Sequence, residues 1–242
     1  MKILVVGGGG REHAIVWKIA QSPKVDKIYC APGNGGIAEL AECVDIAATD
    51  IENMVKFAKD NAIDLVMVAP DDPLVLGMVD AMEKEGIRAF GPRANAAIIE
   101  GSKAFSKELM KKYNIPTANY EVFTDSTSAI DYIKAQNTFP TVIKADGLAL
   151  GKGVIIAKTL EEAEQAVHEM IDDGKFGKSG SRVVIEEFLT GPEVSVLAFT
   201  DGKTVKPMVS AQDHKRAYDN DEGLNTGGMG TFSPSRLYDD AK

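Results

Sequence analysis

From Met1 to about Pro92 the chain alternates short apolar runs with stretches of helical period. Residues 3–6, 27–31, 65–69 and 88–91 read as strands, and residues 12–21, 51–61 and 74–86 read as the helices between them. This βαβ grammar predicts a parallel, doubly wound sheet, whose ligand crevice lies beyond the carboxyl ends of its strands. Three turn-forming stretches fall there, each directly after an apolar run: Gly7-Gly8-Gly9-Gly10-Arg11-Glu12-His13, Pro32-Gly33-Asn34-Gly35-Gly36 and Pro70-Asp71-Asp72-Pro73.

The pattern changes after Gly101. Ser102 is placed to cap a helix over residues 103–113, and Pro116 follows its end. Apolar runs then crowd together at residues 141–145, 154–157, 183–187, 193–199 and 204–209, with one helix among them at 160–172. Thr159 and Glu162 have the spacing of a capping box at the start of that helix. Thr200-Asp201-Gly202-Lys203 reads as a hairpin turn. The second half is therefore expected to be α+β and largely antiparallel, with a boundary near residue 101 that divides the chain into 1–101 and 102–242.

Composition narrows the function classes. A hydrophobic fraction of 44% and a charged fraction of 26% are those of an ordinary globular protein. The 27 Lys and Arg against 36 Asp and Glu give a net charge of -9, which argues against nucleic acid as the main partner. Cys30 and Cys43 lack metal-ligand spacing and read as small core-filling thiols in a reducing compartment. The apolar run at residues 3–6 is too short for a signal peptide or a membrane span, so the expected location is cytoplasmic, with no membrane partner.

The glycines after the first strand do not make a dinucleotide fingerprint. The position of the third glycine holds Glu12 or His13, and the second strand ends in Cys30-Ala31-Pro32 without a carboxylate for a ribose. What the residues support is an anion site at a helix N-terminus, where Arg11 adds a forked phosphate contact; the alternative is a tight turn with no ligand. His13 is read as structural, and of Arg11, Glu12 and His13 only Arg11 is singled out for chemistry.

The segment from Ile143 to Val154 is richer. Gly147 and Gly151 enclose three residues and Gly153 follows Lys152, whereas a P-loop needs four residues and then Ser or Thr. Apolar β-runs flank it on both sides, so it reads as a glycine-rich flap over ATP phosphates, with Lys144 as a point charge at the strand end; the alternative is a flexible hairpin with surface lysines. Downstream, Glu186-Glu187-Phe188-Leu189 and Glu193 offer the parts of an adenine and ribose slot, or else a solvated strand end. The clusters Gln212-Asp213-His214-Lys215-Arg216 and Asn225-Thr226-Gly227-Gly228-Met229-Gly230 read as binding loops.

Seven ordered blocks then carry a resemblance. Gly9-Gly10-Arg11-Glu12-His13, Ala31-Pro32-Gly33-Asn34, Glu100-Gly101-Ser102-Lys103, the segment 143–154, Ile185-Glu186-Glu187-Phe188, the segment 212–216 and the segment 225–230 resemble the glycinamide ribonucleotide synthetase (phosphoribosylamine–glycine ligase) family. The resemblance implies a Rossmann-like N-terminal domain followed by an α+β ATP-grasp domain. Its small lobe would lie at about 120–190, and its C-terminal lobe is expected to be cut short at Lys242. It implies ATP with Mg or Mn as cofactors and glycine and phosphoribosylamine as substrates, joined through a glycyl phosphate in purine biosynthesis.

The same resemblance assigns roles. Lys103 and Lys144 would contact ATP phosphates, and Gly147, Gly151, Lys152 and Gly153 would cover them. Glu186, Glu187 and Leu189 would hold adenine, and Glu193 the ribose. Gly9, Gly10, Arg11, Asn34, Asn225 and Thr226 would bind substrate, with Asp213, Lys215 and Arg216 at the reacting centre. Asp71-Asp72 and Leu224 depart from the family pattern, which more often has Glu and Pro there. The metal ligands of the family are expected beyond Lys242, so the 242-residue chain is expected to be inactive by itself, as a ligase piece or a non-catalytic binding piece. An ATP-grasp carboxylase is the remaining alternative, against which residues 212–216 argue.

Overall fold

The computed structural model describes residues 1–148 and 153–237, and the chain falls into two compact units, Met1–Ile115 and Pro116–Lys242. The first begins with β1 (Lys2–Gly7), α1 (Gly10–Ile19), β2 (Lys27–Pro32), β3 (Glu42–Cys43), α2 (Ile51–Asp60) and β4 (Leu65–Val68). It continues with α3 (Asp71–Val75), α4 (Met78–Lys84), β5 (Ala89–Phe90), α5 (Ala94–Gly101) and α6 (Lys103–Lys112). All five strands are parallel in the order β3-β2-β1-β4-β5. This is the parallel sheet that the alternation predicts and the Rossmann-like domain that the resemblance implies.

The central strand is apolar on both faces because both are covered. Leu4 and Val6 pack with Val66 and Val68 against Met54 and Ala58 of α2 and Met78, Val79 and Met82 of α4. Ile3 and Val5 turn the other way, toward Ile28, Cys30, Val16 of α1 and Ile37. Burial pushes the Cys30 thiol up to about 12. Cys43 does not share that core: it lies exposed on the short edge strand β3, which corrects the reading of both cysteines as core fillers.

The helix expected over residues 74–86 is two helices. Gly77, with φ of 90°, takes the left-handed conformation that ends α3 and starts α4 in a new direction. Ser102 caps α6 as expected, its Oγ accepting the Phe105 N–H at 3.1 Å. The first unit therefore runs on through α5 and α6.

The second unit holds β6 (Tyr120–Phe123), α7 (Ser126–Gln136), β7 (Thr141–Ala145), β8 (Val154–Ala157), α8 (Leu160–Ile171) and β9 (Val183–Glu187). These strands form an antiparallel sheet in the order β6-β9-β7-β8. Ile143, Ala145, Val183 and Ile185 pack beneath Ile130 and Ile133 of α7 and Ala163, Val167 and Met170 of α8. α7 is an element that the apolar pattern does not predict, although Asp125 caps it by accepting the Ser128 N–H at 2.8 Å. At α8, Thr159 Oγ1 accepts the Glu162 N–H at 3.3 Å, but the return bond to Glu162 comes from the N–H of Lys158, one residue earlier than a capping box requires.

Two antiparallel ribbons follow, β10 (Ala198–Thr200) with β11 (Val205–Pro207) and β12 (Gln212–Tyr218) with β13 (Glu222–Phe232). The strand expected at 193–199 is reduced to Ala198–Thr200 and one bridge between Ser195 and Ala211. Asp201 closes the first ribbon's turn by accepting the N–H groups of Lys203 and Thr204 at 2.9 and 2.7 Å. Among the described residues no helix is long and apolar enough to cross a membrane.

Ile143 is fully buried between β9 and the helices of the second unit. Ile143→Ala is expected to lower the unfolding free energy of that unit by about 2–5 kcal/mol, read from a urea titration. A loss below about 1 kcal/mol would show that the sheet and helices are not packed as described.

Candidate functional site

In the first unit the carboxyl ends of β1, β2 and β4 gather the three turns that the sequence singles out. The Gly33 N–H donates to the Gly7 carbonyl at 3.0 Å, and Asn34 Nδ2 donates to the Gly8 carbonyl at 2.9 Å. The other end of the Asn34 amide accepts the Ile37 N–H at 2.9 Å. Asn34, expected to meet substrate, thus ties the glycine loops together with both ends of its side chain. His13 lies against Gly36 of the same loop.

Arg11 stands one residue into α1, exposed, with Nη1 donating to the Ala69 carbonyl at 3.1 Å and 3.6 Å from Asp71 Oδ1. Its Nε lies 3.7 Å from Glu12 Oε1. The guanidinium therefore crosses from the first turn to the third, at the helix N-terminus where an anion is favoured. Gly9 and Gly10 form that terminus.

Glu12 is the residue that sequence reasoning missed here. It is only 4% exposed, and its Oε2 accepts the Gly9 N–H at 2.6 Å, satisfying a donor at the start of α1. Its Oε1 is buried without a hydrogen-bond partner. The signal was present in the sequence: an acid three residues past the N-cap can return a bond to the N-cap N–H, even where the N-cap is glycine and has no side chain to complete a capping box.

In the second unit strand alternation decides what each carboxylate can reach. Ile143, Ala145 and Ile185 face the helices, so Lys144 and Glu186 project from the opposite face, where Lys144 Nζ meets Glu186 Oε2 at 2.9 Å. Glu186 is 5% exposed, and this ammonium compensates its charge. Glu187 points to the helix side instead, where its Oε2 accepts from the backbone N–H and the Nδ2 of Asn119 at 3.2 and 2.9 Å. A hollow of 240 Å³ lies there, lined by Tyr132, Gln136, Thr141 and Glu187. Of the residues expected to form an adenine slot, Glu186 and Glu187 therefore occupy opposite faces, and Leu189 is exposed beyond the strand end.

Gly147 and Gly153 border the glycine-rich segment, with the Ala145 N–H donating to the Gly153 carbonyl at 2.8 Å. Gly151 and Lys152 lie outside the described residues. Lys103 opens α6 in the first unit.

The clusters at 212–216 and 225–230, read from the sequence as loops, are the two strands of one ribbon. Arg216 pairs with Asn225 in the ladder, and bulges interrupt the register on either side of Arg216. Glycine-rich sequence concealed this, because the pairing is carried by backbone groups. Lys215 Nζ lies 3.2 Å from Glu193 Oε2 and 3.6 Å from Asp213 Oδ2, which brings three predicted residues together. Partial burial opposes the Lys215 ammonium, but the bond to Glu193 and the two carboxylate charges outweigh it and hold the group above its ordinary range. Thr226 Oγ1 donates to the Lys215 carbonyl at 2.8 Å, and Arg216 Nη1 donates to the Gly223 carbonyl at 2.6 Å. Among the described residues no three His, Cys, Asp or Glu side chains gather as a metal cage.

Comparison with known proteins bears on this arrangement. Residues 1–100 match the family model for the phosphoribosylglycinamide synthetase N domain, and residues 101–242 match that for the ATP-grasp (A) domain of the same synthetase. Phosphoribosylamine–glycine ligase of Halalkalibacterium halodurans is 54% identical over 100% of this chain and 56% of its own length. That of Haemophilus influenzae is 55% identical over 97% of this chain and 55% of its own. The chain spans about half the length of the curated relatives it matches. The crystal structure of phosphoribosylamine–glycine ligase from Thermotoga maritima superposes with a TM-score of 0.81 at 32% identity, covering 97% of this chain and 56% of that one. A biotin carboxylase domain of 2-oxoglutarate carboxylase from Hydrogenobacter thermophilus, covering 99% of this chain and 54% of its own, has a TM-score of 0.78 at 17% identity and shares the fold alone.

Glu12 supplies a direct test of how α1 is held. Glu12→Ala leaves the Gly9 N–H without its buried acceptor and is expected to cost about 1–3 kcal/mol in a denaturant titration. Glu12→Gln keeps a carbonyl oxygen for that N–H and should lose about half as much. Equal losses for the two variants would mean that the Gly9 bond is not what Glu12 contributes.

Proposed function

Because the chain belongs to the phosphoribosylglycinamide synthetase family, we propose that it carries the substrate-binding and nucleotide-binding residues of an ATP-dependent carboxylate–amine ligase that joins glycine to phosphoribosylamine. The observation that carries this reading is the Lys144–Glu186 pair, half sunk in the face of the sheet that α7 and α8 leave open, at the root of the glycine-rich segment. An ammonium has three donors and needs only one for Glu186, so Lys144 can also reach a phosphate oxygen.

The remaining assignments follow the family resemblance. Lys103 meets ATP phosphates, and Gly147, Gly151, Lys152 and Gly153 lie over them. Glu187 and Leu189 act at the adenine end through the strand-end backbone, because the Glu187 side chain is held by Asn119. Glu193 holds the ribose. Gly9, Gly10, Arg11 and Asn34 bind the phosphorylated sugar at the α1 terminus; Asn225 and Thr226 bind substrate alongside Asp213, Lys215 and Arg216 at the reacting centre. We assign the functional division to 1–101 and 102–242, and the location to the cytoplasm.

In the reaction a glycine carboxylate oxygen attacks the γ-phosphorus of ATP, and the bond to the β-phosphate oxygen breaks, giving glycyl phosphate and ADP. The amine of phosphoribosylamine then attacks the glycyl carbonyl carbon. The carbon–oxygen bond to phosphate breaks, the amine loses a proton, and the amide and inorganic phosphate result. The residues of this chain contribute by positioning and by neutralising charge at Lys103, Lys144, Lys215 and Arg216. A Mg or Mn ion would add charge neutralisation at the ATP phosphates.

The experiment joins these 242 residues to the remaining part of the Halalkalibacterium halodurans relative and follows ADP release. Release is expected to require ATP, glycine and phosphoribosylamine together, and Lys144→Ala should lower kcat/KM for ATP by about a hundredfold or more. Equal turnover with bicarbonate in place of glycine would overturn the substrate assignment. The 242-residue chain by itself is expected to bind ATP without turnover, and measurable ligation by it would overturn that expectation.

A further inference from the structure

Five hydrogen bonds stitch the chain leaving β7 to the turn that precedes β9. The Asp146 N–H donates to the Arg182 carbonyl at 3.0 Å, and the Gly147 N–H donates to the Ser179 carbonyl at 3.3 Å. Ser179 Oγ donates to the Leu148 carbonyl at 3.1 Å. Arg182 reaches Asp146 Oδ2 with Nε at 3.0 Å and with Nη2. Asp146 is 9% exposed, so its charge is largely withdrawn from water, and the Arg182 guanidinium compensates it.

The contact leaves no slack. A Cβ at Gly147 would lie 2.5 Å from Ser179 Oγ and 3.1 Å from Ser179 Cα, so the two segments meet only because residue 147 has no side chain. The turn itself is braced from behind. Phe176 packs on the core under α8, and a Cβ at Gly180 would lie 2.6 Å from the Met170 carbonyl oxygen of that helix. Residues 179–182 are thus fixed to α8, and residues 146–148 are fixed to them.

Lys144 stands two residues before Asp146 on the same strand end. The geometry points to Asp146, Ser179 and Arg182 as positioning residues for the phosphate end of the nucleotide site: they set the direction in which the backbone leaves Lys144 and presents Gly147. This rests on the ATP reading given above. None of the three needs to touch the nucleotide. Their effect is selective for ligands with a phosphate chain, because the stitched segment lies at the Lys144 end of β7 and not at the Glu186–Leu189 strand end.

The test measures the affinities of the full chain for ATP and for adenosine by titration calorimetry, for the wild type, Arg182→Gln, Asp146→Asn, Ser179→Ala and the double variant Arg182→Gln/Asp146→Asn. ATP affinity is expected to fall about tenfold in Arg182→Gln and in Asp146→Asn, with adenosine within about twofold of the wild type. The double variant should be no worse than either single one, because both remove the same fork. Ser179→Ala, which loses a single side-chain hydrogen bond and should fold whatever the fate of Arg182→Gln, is expected to move ATP affinity in the same direction by a smaller factor.

Unchanged ATP affinity in these variants, or equal losses for ATP and adenosine, would overturn the positioning role while leaving the nucleotide site in place. Absence of ATP binding by the wild-type chain would instead overturn the functional reading, and the inference with it.

Discussion

A carboxylate that is nearly excluded from water must find a partner of opposite charge or a set of donors, and Glu186 finds Lys144. The pair lies across adjacent antiparallel strands, with Lys144 opposite Val184 and Glu186 opposite Val142 in the ladder. A one-residue slip between β7 and β9 would turn one of them into the helix-packed core and leave a buried charge alone. The register of the small sheet and the charge arrangement of the proposed nucleotide site are therefore a single constraint. The apolar residues on the other face, Ile143 and Ile185 among them, hold the same register from beneath.

The same physics operates in the first unit on a smaller scale. Glu12 is buried beside the glycine turn, and its one satisfied oxygen holds the first N–H of the α1 terminus. Arg11 and Asn34 then link that turn to the loops after β4 and β2. The crevice is thus shaped by polar groups that bind one another. Arg11 remains the exposed cation among them, placed where helix N–H groups and a guanidinium can meet one anion.

Much of this was legible in the sequence because it depends on local period. The strands at 141–145, 154–157 and 183–187 and the cap at Ser102 were read where they stand. What escaped was set by contacts between distant residues or by backbone alone. The break at Gly77 falls inside an unbroken helical pattern, since Val75, Val79 and Met82 keep the apolar stripe on both sides of it. The ribbon at 212–232 looks like loops because glycines and charges, not alternating apolar residues, occupy a ladder held by main-chain bonds. Glu186 and Glu187 look equivalent as neighbours in sequence, and only alternation about a known core face separates the one beside Lys144 from the one beside Asn119.

Residue choice at the two cationic positions agrees with the division of labour proposed for them. Arg182 donates from both Nε and Nη2 to Oδ2 of Asp146, two donors held in one rigid plane that a lysine could not match. Lys144 has a different task. Its compact ammonium is bound to one carboxylate oxygen and is 27% exposed on the open face, so it retains donors that can turn toward an incoming oxyanion. A fork at position 144 would be matched to Glu186 and closed by it. The rigid pair then belongs where the backbone must be fixed, and the adaptable one where a ligand must be received.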